Sequence, residues 1–247
     1  MSTLVQSAAS WVNAGLGFLY PEVCQFCHKA RATPAQSYIC DGCRAEVKFI
    51  EPPFCARCGL PFPGAITQSF ECGDCREMHW PFASARAAVI ARGVMLEIIH
   101  RYKYQRALWL EPFLAELLIA RAAPVLGSGE WNMLLPVPLH PVKQREREFN
   151  QAERLARRLS EATGVPMNSR LLRRVEPTRT QTQLSRAERL ANVRRAFAVG
   201  GDEPLAGKRV VIVDDVLTTG ATTGACAGVL RAAGAGDVCV WTVARGI

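Results

Sequence analysis

An α/β fold, built on a parallel sheet flanked by helices and preceded by a small cysteine-rich module, is what this 247-residue sequence predicts. Three observations carry that expectation. From Ala83 onward, short apolar runs alternate with stretches of helical periodicity, the order that lays crossover helices over a parallel sheet. One run, Val210 to Val213, is β-branched at every position, as a strand covered on both faces must be. Eight of the ten cysteines stand as four C-x-x-C pairs before residue 76. They lie among Gly42, Pro52, Pro53, Gly59, Pro61, Pro63 and Gly73, where turns dominate.

In chain order, residues 4 to about 19 read as a short helix of modest apolar bias that docks on the body, and they lack the basic face of a membrane-surface helix. The cysteine module spans Pro21 to about His79. Ala83 to Ile90 is a strand, Val94 to Tyr104 and Ala107 to Ala122 are helices, and Met133 to Val137 is a second strand. After a loop over 138–149, Ala152, Leu155, Ala156 and Leu159 recur at helical spacing with Arg154, Arg157 and Arg158 on other faces. Leu171 to Val175 is a short strand and Ser185 to Arg195 a helix. Lys208 to Val213 and Val238 to Ala244 are the last strands, separated by a small-residue helix that runs to about Ala233. The domain expectation is therefore residues 1–20 as an N-terminal helix, 21–80 as the cysteine module and 81–247 as the α/β domain.

The four cysteine pairs point to metal. A C-x-x-C turn sets two thiolates on one side of a tight bend, and two such turns complete a tetrahedral all-sulfur shell around Zn²⁺. Intervals of 12, 11 and 13 residues separate successive pairs. They suit one ion on Cys24, Cys27, Cys40 and Cys43 and another on Cys55, Cys58, Cys72 and Cys75, with an interleaved arrangement as the alternative. A closed shell leaves no place for a substrate, so two structural Zn²⁺ ions are expected in a double zinc ribbon. Redox dithiols and an iron-sulfur cluster are the rival readings. His28 and His79 flank the pairs as outer neighbours or exposed residues. Cys226 and Cys239 fall in apolar segments and read as core.

No run of about 18 apolar residues and no signal-peptide pattern is visible, so the expected location is the reducing cytoplasm, where disulfides are rare. The net charge of +8 is unevenly placed. Residues 1–80 hold 6 basic and 7 acidic residues, whereas Lys143 to Arg195 alone holds 14 against 6. An anionic ligand suits that surplus, whether a pyrophosphate or a nucleic-acid backbone.

The stretch "VVIVDDVLTTGATTG", Val210 to Gly224, concentrates the chemistry. Asp214 and Asp215 follow the strand at its carboxyl end, where open α/β sheets bind ligands. Thr218, Thr219, Gly220, Ala221 and Thr222 then offer backbone N–H groups and hydroxyls at a helix N-terminus, a phosphate cradle. Carboxylates only accept hydrogen bonds and repel a phosphate, so the acids fit a neighbouring diol instead. A ribose 5-phosphate group satisfies both halves.

This stretch resembles the signature of the type I phosphoribosyltransferases, which bind phosphoribosyl pyrophosphate. "LLPVPLHPVKQREREFNQAERLA" (134–156) and "TRTQTQLSRAERLANVRRAF" (178–197) further resemble the blocks of the ComF-type competence proteins, and with the cysteine module the resemblance covers nearly the whole chain. It implies a type I phosphoribosyltransferase-like sheet, a role in natural competence and DNA uptake, and a ligand bound with Mg²⁺. Carried over by position, Asp214 and Asp215 hold the ribose 2′ and 3′ hydroxyls, and Thr218 to Thr222 hold the 5-phosphate. The turn at Pro136, Val137 and Pro138 resembles the pyrophosphate loop, with Arg145 and Arg147 as anchors, and Lys103 resembles a basic residue near the first strand. Arg179 to Gln183 falls in a hood closing over the ligand. The implied reaction is pentosyl transfer, a nucleophile attacking the anomeric carbon as pyrophosphate leaves. One departure stands out: many relatives have Gly before the Phe-Asn-Gln triplet, whereas Glu148 precedes Phe149, Asn150 and Gln151 here.

A second class of function fits the same sequence. The zinc ribbons and the basic stretch would bind single-stranded DNA as an adaptor to the DNA-uptake machinery, with Tyr102, Tyr104, Trp109 and Phe149 stacking on bases. The sugar-phosphate site would then be regulatory or vestigial.

Overall fold

The structure, a computed structural model, describes residues 22–127, 129–176, 196–201 and 203–247. The helices expected over 4–19 and Ser185 to Arg195, and the segment Arg179 to Gln183, lie outside the described residues. The chain divides into two compact units, Met1–Glu46 and Val47–Ile247.

In the first unit the described residues include two tight cysteine turns, a 3₁₀ turn over Pro34–Gln36 and a short helix, α1 (Asp41–Ala45). His28 N donates to Cys24 O at 3.0 Å and Arg44 N to Cys40 O at 2.9 Å, closing the two turns in the same way.

The second unit opens with another such pair of turns and helix α2 (Gly73–Glu77). There follow β1 (Ser84–Ile90), α3 (Val94–Tyr104), α4 (Glu111–Leu126), β2 (Met133–Pro136), α5 (Pro141–Arg147), α6 (Gln151–Thr163), β3 (Leu172–Arg174), β4 (Phe197–Val199), β5 (Arg209–Leu217), α7 (Ala221–Ala232) and β6 (Asp237–Arg245). The main sheet has the order β1-β6-β5-β2 and every neighbour is parallel, while β3 and β4 form a separate antiparallel pair. All four carboxyl ends of the main sheet therefore emerge on one side.

Burial explains the architecture. Val210, Val211, Ile212 and Val213 are fully buried, as are Leu134 and Leu135 of β2, so apolar side chains on both faces of the central strands hold helices against them. One face and α7 share a core that includes Leu135, Val210, Ile212, Cys226, Leu230 and Val240. Helix α6 buries Ala152, Leu155, Ala156 and Leu159, the positions whose spacing predicted it. Asn150 caps its start and Gly164, at φ 74°, ends it.

Four elements differ from expectation, the first being β4, a strand that the sequence reading does not anticipate. Helix α4 begins at Glu111 rather than Ala107, because Pro112 has no N–H to donate and is accommodated only in a first turn; a 3₁₀ turn over Leu108–Leu110 precedes it. The expected loop over 138–149 contains α5, whose cap is His140 and whose first residue is Pro141. Strand β5 runs on to Leu217, beyond both aspartates.

Candidate functional site

The cysteines come together in sequence order. The four sulfurs of Cys24, Cys27, Cys40 and Cys43 lie within 4.8 Å of one another, as do those of Cys55, Cys58, Cys72 and Cys75. The interleaved alternative is thereby excluded. Zn–S bonds of about 2.3 Å in a tetrahedron place sulfurs about 3.8 Å apart. Here Cys24–Cys43 is 3.7 Å, Cys27–Cys40 3.6 Å and Cys58–Cys72 3.8 Å. Backbone amides support thiolates: Cys40 N donates to Cys24 Sγ at 3.4 Å, and Cys72 N and Cys58 N donate to Cys55 Sγ at 3.3 and 3.5 Å. The amides of Ala30 and Lys29 bring the Cys27 thiol down to about 6. Against burial, the amides of Cys58, Cys72 and Arg57 bring Cys55 down to about 7. These clusters fit two structural zinc ribbons. His28 and His79 are exposed.

The second cluster is built onto the sheet. Ala85 N of β1 donates to Arg57 O at 2.7 Å, and Arg57 Nη1 donates to the carbonyls of Phe82 and Ala83. Gly59, at φ 66°, passes so close to β1 that a methyl group there would lie 2.6 Å from Ala85 O.

At the carboxyl end of β5, strand alternation sends the two aspartates to opposite faces. Asp215 is buried and pairs with Lys103 of α3, Nζ to Oδ2 at 2.8 Å. Asp214 keeps partial exposure, and its Oδ1 accepts from Asp215 N at 2.9 Å. Burial, then the neighbouring Asp215, pushes the Asp214 carboxyl up to about 8, with Lys103 opposing. Desolvation acts to lower Lys103, but Asp215 and Asp214 outweigh it and leave the ammonium above its ordinary value. Both acids therefore belong to one buried charge system whose third member is Lys103.

Two residues further on, the chain turns. Thr218 is exposed and Thr219 half-buried. Gly220 caps α7 at φ 78° and supplies no side-chain hydrogen bond. Thr219 Oγ1 accepts from Ala221 N at 3.4 Å, and Thr223 Oγ1 donates to Gly220 O at 3.2 Å. Ala221 is buried and Thr222 half-buried. The helix dipole thus presents its positive end at this turn, three residues after Asp215 along the chain, where Gly220 supplies no capping side chain.

The neighbouring strand end is tied to the same place. Val137 N donates to Val213 O at 2.9 Å, and Val137 O accepts from Asn150 Nδ2 at 3.1 Å while Asn150 Oδ1 caps α6. Arg147 stacks over Tyr104 at 4.9 Å and donates to Gln151 at 3.1 Å, whereas Arg145 is exposed. Glu148 ends α5 at φ 66° and pairs with Arg106 at 2.8 Å. This left-handed conformation is one that glycine adopts without steric cost and Glu148 does not.

Sequence reasoning missed three residues. Arg174 of β3 lies over the Phe197 ring at 5.5 Å, and burial lowers its guanidinium, with Cys226 and Asp214 opposing the shift. Arg245, which reaches both Cys58 and Leu217 O, and Trp80, which packs on the second cluster and on Gly220, join that cluster to the turn. No local pattern marks them. Tyr102, expected as a stacking platform, is fully buried against Phe149 with ring centres 5.3 Å apart, so it has no face to offer a base. Tyr104 and Trp109 are exposed. Cys226 and Cys239 are buried, and burial raises both thiols, as core cysteines require.

Comparison with known proteins adds context. Residues 15–76 match the double zinc ribbon domain family. Competence protein F of Haemophilus influenzae is 30% identical over 219 residues, covering 85% of this chain and 92% of that protein. DNA utilization protein YhgH of Salmonella typhimurium is 30% identical over 228 residues, covering 91% and 97%. Among solved structures, the glutamine phosphoribosylpyrophosphate amidotransferase of B. subtilis, complexed with ADP and GMP, is 27% identical with a TM-score of 0.35. That match covers 53% of this chain and 25% of the amidotransferase. Among the described residues, no helix is long and apolar enough to cross a membrane.

Proposed function

The chain belongs to the competence protein F family, and from that premise we propose that it binds phosphoribosyl pyrophosphate at the carboxyl end of β5 and acts in DNA uptake. The observation that carries this reading is the meeting, at one strand end, of a part-exposed carboxyl on Asp214 and a helix N-terminus capped by Gly220. A ribose hydroxyl needs an acceptor and a 5-phosphate needs N–H donors, and these lie in consecutive stretches of one chain.

In this reading Thr218, Thr219, Gly220, Ala221 and Thr222 hold the 5-phosphate. Asp214 accepts from the ribose hydroxyls, while Asp215 acts mainly through Lys103, whose charge it fixes. Val137 and the cations Arg145 and Arg147 face the pyrophosphate. A Mg²⁺ ion prefers oxygen ligands, which Asp214 and the phosphates supply, and it would offset the pyrophosphate's charge. Because burial and the neighbouring Asp215 push the Asp214 carboxyl up, its use as an acceptor costs the release of a proton.

Calorimetric titration of phosphoribosyl pyrophosphate with Mg²⁺ into the wild type and Asp214→Asn/Asp215→Asn tests the proposal. Loss of at least tenfold in affinity is expected, and equal binding by both proteins refutes it.

The single-stranded DNA adaptor is favoured by one observation, the exposed Tyr104 with Arg147 stacked on it and Trp109 also exposed nearby in sequence. The basic helix faces argue less for it. Arg154 and Arg158 are both committed to buried Glu111, and Arg157 to Glu153. An affinity for single-stranded DNA that falls steeply with salt and is lost in Trp109→Ala would establish that reading.

A further inference from the structure

We propose that the second four-cysteine site positions the phosphate turn, with Arg245 and Trp80 as the positioning residues that link the metal cluster to Thr218–Gly220. This rests on the phosphoribosyl reading for its ligand, but the linkage is visible without one.

Arg245 is the last residue of β6, in register with Leu217 at the end of β5. It is buried. Its Nη1 donates to Leu217 O at 3.0 Å, to Gly246 O at 2.7 Å and to Thr218 O, while its Nη2 lies 4.0 Å from Cys58 Sγ. Carbonyls take up the protons of Nη1 but do not balance the guanidinium's charge. A zinc site with four thiolates carries about −2, and Cys58 is the member that Arg245 reaches. The metal-thiolate charge beside Nη2 therefore holds Arg245, and Nη1, fixed in the same plane, holds the two carbonyls through which the chain leaves β5 and enters the turn. Peptide planes are rigid, so fixing the carbonyls of Leu217 and Thr218 fixes the direction of the amides that follow each of them.

Trp80 acts from the other side. Its ring stacks on Phe82 at 5.0 Å with planes 17° apart, and it packs against the cluster of Cys55, Cys58 and Cys75. It also covers the start of α7. A methyl group at Gly220 would come within 3.0 Å of Trp80 Cη2, and one at Gly224 within 2.8 Å of Cζ3. Glycine at both positions is what lets the indole lie against the helix. The cluster thus touches the turn twice, once through hydrogen bonds to its first residue and once through packing beneath its last.

Hydrogen exchange of the full-length, ligand-free protein tests the linkage directly, read at the amides of residues 217–224. Three variants are compared: Cys58→Ser, which removes the second ion; Cys40→Ser, which removes the first; and Arg245→Lys, which keeps the charge and both ions but loses the fork. Zinc analysis verifies occupancy. Exchange at 217–224 is expected to quicken at least tenfold in Cys58→Ser and Arg245→Lys and to stay at the wild-type rate in Cys40→Ser. Wild-type exchange in Arg245→Lys with two zinc ions bound overturns the proposal, even if Cys58→Ser fails to fold. Quickening by the same factor in Cys40→Ser also overturns it, since the effect would then be global. Phosphoribosyl pyrophosphate with Mg²⁺ is titrated into the same proteins, and a tenfold weaker affinity is expected in Arg245→Lys. If the wild type itself does not bind, the phosphoribosyl reading fails while the exchange result still decides the linkage.

Discussion

Replacing Lys103 with Met isolates the charge system under the candidate site. Lys103 and Asp215 form an ion pair at 2.8 Å with side chains only 18% and 4% exposed. Methionine fills similar space but leaves the aspartates without their cation. Removing one partner of a buried pair costs roughly 3–5 kcal/mol. An independent route gives a similar figure. Asp214 already holds one proton below about pH 8, so the pair must take up a second. Protonating a carboxyl of ordinary pKa, about 3.9, at pH 7 costs about 4 kcal/mol, at 1.36 kcal/mol per unit. For a unit of this size each kcal/mol lowers Tm by about 2–4 °C, so a loss of roughly 6–20 °C is expected at pH 7. The sign of the pH dependence follows. The folded variant binds a proton that the unfolded chain has released, so its deficit relative to wild type grows as pH rises and shrinks toward pH 4. Differential scanning calorimetry of both proteins between pH 5 and 8 measures this. A fall of less than about 3 °C, or a deficit independent of pH, would refute the reasoning.

Three further outcomes are expected. Because the Asp214 carboxyl is raised to about 8, phosphoribosyl pyrophosphate binding should strengthen up to about tenfold per unit as pH rises toward that value, with proton release detectable by calorimetry in two buffers. The stabilising contribution of its raised pKa runs the opposite way, full below about 3.9 and lost as pH climbs to 8, and Asp214→Asn should flatten both profiles. Asn150→Ala removes the cap of α6 and leaves Val137 O unpaired, so thermal unfolding should show a loss of about 2 kcal/mol, or roughly 4–8 °C. Glu148→Gly should keep Tm within about 4 °C of wild type, since relief of the left-handed backbone offsets the entropy and the exposed ion pair lost; its calorimetric affinity for the pyrophosphate ligand should rise severalfold.

Much of the site was legible because its signals are local. Val210 to Val213, Gly220 and the small-residue helix announce a strand, turn and helix in one continuous stretch, and C-x-x-C spacing brings two thiolates together by itself. What escaped depends on distance or on a competing signal. Arg245 meets Cys58 across 187 residues, and nothing adjacent to either predicts the other. Helix α5 carries mostly charged residues with no apolar period, so its existence rests on the His140 cap and Pro141. The different surroundings of Asp214 and Asp215 follow from β5 continuing to Leu217, because a strand alternates its side chains where a turn need not. Tyr102 looked available beside basic residues, but its apolar ring fills the space against Phe149.

The most direct measurement is a crystal of the full-length protein soaked with phosphoribosyl pyrophosphate and Mg²⁺. The account predicts a sugar phosphate above β5, its 5-phosphate on the amides of Thr219 to Thr222 and its hydroxyls on Asp214. A turn closed by the protein's own side chains, or a ligand bound elsewhere with this strand end left bare, would contradict it.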